Sequence, residues 1–142
     1  MGEVCALDAI QLVGNMDKYR QVAVLAAQSI REGVVADPAE AWLKGAKKVF
    51  PSSSALQSKV CPKGAFLGLC IQGMIDGIPP GDYSKPSKNG EYAIAAVEIL
   101  KGNPFLTSQP ELLLNKAVGN TKTENGQMDV VIGLWEASLI RT

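Results

Sequence analysis

The stretch "CPKGAFLGLCIQGMIDG", residues 61–77, decides the fold. At helical spacing, Phe66, Leu67, Leu69, Cys70, Ile71, Met74 and Ile75 point around most of the circumference, leaving a narrow arc near Ala65, Gln72 and Asp76 for water. A helix apolar nearly all round belongs at the centre of a domain. Gly64, Gly68 and Gly73 cost helix stability but let neighbouring helices come close. Pro62 suits the first helical position, so the spacing predicts a helix over 62–77 with Cys61 as its N-cap. On that helix Cys61 and Cys70 lie about 13 Å apart along the axis and half a turn out of phase, too far for a disulfide.

Other helices are predicted around this one. Asp37, Pro38 and Glu40 form a capping box with the favoured proline, opening a helix that runs to about Val49. Ser108 and Glu111 repeat the device for a shorter helix toward Val118. Tyr19, Val22, Ala26 and Ile30 make a stripe on a helix from about Asp17 to Glu32, preceded by a helical segment over Glu3–Val13. Met128, Val131, Ile132, Trp135 and Leu139 make another on a last helix starting near Asn125. Asn89 and Asn125 each precede a glycine and a helical run. They read as caps, since the flanks lack the strict alternation of a hairpin. The sum is an all-α fold: one domain over residues 1–142, with six to seven helices packed around the central one. A chain of 142 residues buries roughly two thirds of its unfolded surface without a metal or disulfide.

Composition excludes whole classes of chemistry. The chain has no histidine, so it supplies no Ser-His-Asp triad, Cys-His dyad or imidazole metal site. Cys5, Cys61 and Cys70 are odd in number and lack C-x-x-C spacing, which argues against a disulfide framework and a zinc knuckle. No carboxylate cluster has ligand spacing and no phosphate-cradling glycine loop occurs, so neither metal nor cofactor is expected. No signal segment or membrane-length apolar run is visible, and Ala6 stands where a myristoylation signal after Gly2 wants Ser or Thr. These features predict a cytoplasmic protein.

Charge is uneven along a chain that is neutral overall. Between Ala41 and Ile75 stand Lys44, Lys47, Lys48, Lys59 and Lys63 with no acid. Lys59 and Lys63 flank Cys61 at the predicted helix start, where the dipole and the free amides of Lys63 and Gly64 favour an anion and lower the pKa of a thiol. Ser52, Ser53 and Ser54 precede them. A second polar set, Asp82, Tyr83, Lys85 and Lys88, lies on the loop "GDYSKPSKNGEY", residues 81–92. Folded beside the central helix start, that loop would complete a site for a phosphate or carboxylate. The plainer reading of the same residues is a solvated lysine face, a small capping residue and a polar connector. Asp129 and Glu136 read as a solvated strip on the last helix. Three arginines and no aromatic interleaving make nucleic acid an unfavoured partner.

"CPKGAFLGLC", "KNGEYAIAAVEIL" and "MDVVIGLWEASLI" together resemble a family of small uncharacterised bacterial proteins carried as a domain of unknown function. The resemblance implies a bacterial, single-domain protein and brings no established activity or catalytic residue. Two functions therefore stand: an interaction module, as a homo-oligomer or with a protein partner, that buries apolar helix faces; or a binder of a small anionic ligand, with or without catalysis, at the central helix start.

Overall fold

The computed structural model describes the backbone of residues 4–120 and 124–141, with side chains from Lys18 onward. Gly2 and the side chains of Cys5 and Ala6 lie outside the described residues. The elements are α1 (Val4–Arg31), α2 (Pro38–Val49), a single turn α3 (Ser54–Gln57), α4 (Val60–Ile71), α5 (Lys88–Gly102), α6 (Pro110–Val118) and α7 (Gln127–Glu136), with a 3-10 turn at Pro104–Ser108 before α6. No strand occurs among the described residues; Ile75 and Ile140 form one isolated antiparallel bridge. The fold is all-helical, as the apolar spacing requires.

The central helix is where the sequence places it, but with different ends. It runs over Val60–Ile71 instead of 62–77. At its start, the first-turn N–H groups have no intrahelical acceptor, so Pro62 is accommodated third in the helix as well as first. Lys59 is the N-cap, without a side-chain bond, and Cys61 is the second helical residue. At its end, Gly73 takes a left-handed φ of 68°. Its N–H donates to the Cys70 carbonyl at 3.0 Å and the Met74 N–H to that of Leu69 at 3.0 Å, a Schellman stop. Ile75 is buried in the core, yet through the bridge to Ile140 and not through helix.

Every residue from Ala65 to Cys70 is buried. Glycine makes this possible: a Cβ at Gly68 would overlap the Cα of Gly90, so α4 and α5 touch backbone to backbone. Against α4, α2 brings Trp42, whose ring lies 5.3 Å from that of Phe66 and stacks at 6.5 Å on Tyr19 of α1. The sequence divides α1 into two helices; the chain forms one, ended by Gly33 at φ 77°. Asp37 caps α2 as expected, accepting from the Glu40 N–H at 3.2 Å. Elsewhere the caps shift: Ser87, not Asn89, caps α5; Gly126, not Asn125, precedes α7; and Ser108 bonds the Phe105 carbonyl rather than capping α6.

Candidate functional site

The starts of α4, α5 and α7 meet. A Cβ on Gly64 would lie 3.2 Å from the Ser87 hydroxyl and from the Asn89 Cβ, and one on Gly126 would lie 3.4 Å from Pro62. The Gln127 amide donates to Asn89 Oδ1 at 3.2 Å, tying α7 to α5. This junction gathers Cys61, Lys63 and Gly64, with the exposed Lys88 opening α5. Lys59 sits at its edge, with Nζ 5.7 Å above the Tyr19 ring.

Asp82 and Tyr83 go elsewhere. The Tyr83 hydroxyl donates to the Pro79 carbonyl and its ring covers Gly81, whose N–H donates to the Ile71 carbonyl at the far end of α4. A 12-residue helix is about 18 Å long, so this pair and the lysines belong to opposite ends of it. Lys85 is exposed on the loop between them. Five of the eight residues thus lie at or beside the junction, two at the far end of α4, and Lys85 at neither.

The junction also supplies its own acceptors. Glu124 Oε1 accepts from the N–H groups of Gly126 at 2.9 Å and Met128 at 2.8 Å, Gln127 Oε1 from that of Asn125 at 2.6 Å, and Ser87 Oγ from that of Gly90 at 3.1 Å. A carboxylate therefore already occupies the positive end of α7, and an incoming anion would meet its charge. The start of α4 has no side-chain cap, and Val60 there is 73% exposed, within reach of water. The two thiols differ. Burial pushes the Cys70 thiol far above the ordinary thiol range and removes it from chemistry, while Cys61 is half-buried. Among the described residues no group of three Cys, Asp or Glu side chains could hold a metal ion.

A different place combines a cleft with charge. α7 crosses α1 so closely that a Cβ on Gly133 would lie 2.8 Å from the Cα of Arg20. Beside this contact opens a groove of about 490 Å³ floored by Val24, Leu25, Gly133 and Ala137, with Arg20 and Glu136 at its rim. Arg20 Nε donates to Asp129 Oδ1 at 3.0 Å, and its Nη1 reaches Glu136 Oε1 at 3.5 Å. The Asp129 side chain is fully buried while that of Glu136 is 55% exposed. Asp129 is therefore no part of a solvated strip. Its ion pair spans 109 residues of chain, which spacing along α7 could not reveal; the available signal was Gly133, four residues on and on the same face, marking a close helix approach.

No helix among the described residues is long and apolar enough to cross a membrane. A family model described as a family of unknown function (DUF6979) matches residues 16–141. No curated protein and no solved structure matches the chain.

Proposed function

We propose that this chain, which belongs to the family of unknown function DUF6979, is an interaction module that pairs with a second copy of itself across the α1–α7 groove. The observation that carries the reading is the groove itself: an apolar floor with one cation and one anion on its rim. Such a rim is self-complementary about a two-fold axis, because Arg20 of each copy faces Glu136 of the other. The inner edge of Arg20 is fixed by buried Asp129, whereas its contact to Glu136 is long and partly solvated and so exchanges at little cost. Zero net charge puts no long-range repulsion between copies.

An open groove encloses too little of a small molecule's surface to hold it by itself, which favours a macromolecular occupant. Pairing over one groove gives a weak dimer, with dissociation on the order of micromolar. The free thiols Cys61 and Cys70 support a cytoplasmic setting.

Sedimentation velocity over a concentration series tests the pairing. The protein should pass from monomer to dimer, and Ala137→Arg, an exposed position at the groove floor, should leave it monomeric with its melting temperature unchanged. A wild-type chain that stays monomeric at every concentration contradicts the reading.

A further inference from the structure

We infer that the corner between α2 and α3 is a binding site for a small phosphate-bearing molecule, independent of the α1–α7 groove. A pocket of about 330 Å³ opens there, walled by Phe50, Pro51, Ser52, Ser53 and Leu56, with Lys18 of α1 across from them. Its lining is mainly polar and contains no acid. Of the described lysines only Lys18 lines it; Lys47 and Lys48, in the last turn of α2, and Lys59, two residues past α3, stand on the elements that flank the corner.

Among the described residues none of Lys18, Lys47, Lys48 and Lys59 has a carboxylate within ion-pair distance; the ion pairs engage Arg20, Arg31, Lys44 and Lys101. Two of the four are held in place by aromatic rings. Lys18 Nζ lies 5.9 Å from the Phe50 centroid and Lys59 Nζ 5.7 Å from that of Tyr19, and the two rings pack at 4.9 Å. Cation–π contact fixes each ammonium while leaving its N–H donors for an oxyanion.

The competing explanation is that lysines at the end of α2 answer its helix dipole. One acceptor at that end is already engaged: the Gln57 side-chain amide donates to the Phe50 carbonyl at 2.7 Å and the Ser53 N–H to the same oxygen at 3.3 Å. The dipole does not account for Lys18, which comes from another helix. Ser53 Oγ accepts from the Leu56 N–H at 3.2 Å and keeps its own proton to donate. The pocket is roomier than one phosphate group needs, so the class that fits is a phosphomonoester with a small polar body.

The test is an amide chemical-shift titration at constant ionic strength with inorganic phosphate, glucose 6-phosphate and succinate as probes. Glucose 6-phosphate should move the Ser52 and Ser53 amides more tightly than succinate does, and Lys18→Gln should weaken it about tenfold, one charge-assisted contact's worth. Equal affinity for inorganic phosphate still supports the site and reassigns the ligand to the free ion. Lys116→Gln, on α6, should change nothing, and the Ala137→Arg monomer should bind as well as wild type. Loss of the response in no variant, or shifts at Ser52 and Ser53 that sodium chloride reproduces, overturns the inference.

Discussion

Two regions at the start of α7, centred on residues only two positions apart, bury polar side chains in opposite ways. At the helix start, Gln127 is fully buried and bonded within the molecule, to Asn89 of α5 and to the amide of Asn125, while Glu124 accepts from the amides of Gly126 and Met128. Two residues on, across the helix, Asp129 is equally buried, but its partner Arg20 is 27% exposed and continues outward to Glu136 at the rim of a groove. The first arrangement ends inside the protein and serves to lock three helices in register. The second starts inside and ends at the surface. A buried polar group thus reaches the surface only where its partner still presents an edge to solvent, and in the proposed pairing it is that edge, with the apolar floor beside it, that Glu136 and a second copy compete for.

Substitutions on each side sharpen the contrast. The largest effect belongs to Arg20→Met, which removes the guanidinium from buried Asp129; breaking such a pair from one side costs about 3–5 kcal/mol, and thermal unfolding should show it. The same substitution should abolish pairing in sedimentation, since it takes the rim cation with it. Next comes Gln127→Ala, expected to cost about 1–3 kcal/mol because the Asn89 side chain and the Asn125 amide both lose a partner. Pairing should survive that change. If Gln127→Ala dissolved the dimer while Arg20→Met left it intact, the roles assigned to the two regions would be reversed.

Much of this was legible along the chain, and what was not has a spatial cause. Asp37, Pro38 and Glu40 announce the start of α2 because a capping box is complete within four residues. Phe66, Leu67, Leu69 and Cys70 announce a central helix because they leave it no wet side. Gly73 is ambiguous in one dimension: a glycine inside an apolar run signals either a close neighbour or a stop, and only the left-handed turn against Pro80 decides for the stop. The apolar pattern that continues to Ile75 records burial, which a bridge to Ile140 satisfies as well as a helix does.

The candidate sites were harder still. Lys59 and Lys63 stand out by charge and by their place at a helix start, but Asp82 and Tyr83 are carried to the other end of α4 by the turn at Gly81. Lys18 carries no signal along the chain, because its pocket is completed by residues more than thirty positions away.

Amide chemical shifts followed through a dilution series test the central claim most directly. Pairing across the α1–α7 groove should give concentration-dependent movement confined to residues 20–25 and 133–137, with 87–90 and 124–128 unmoved. Movement centred on the helix junction, or none anywhere up to the solubility limit, would contradict it.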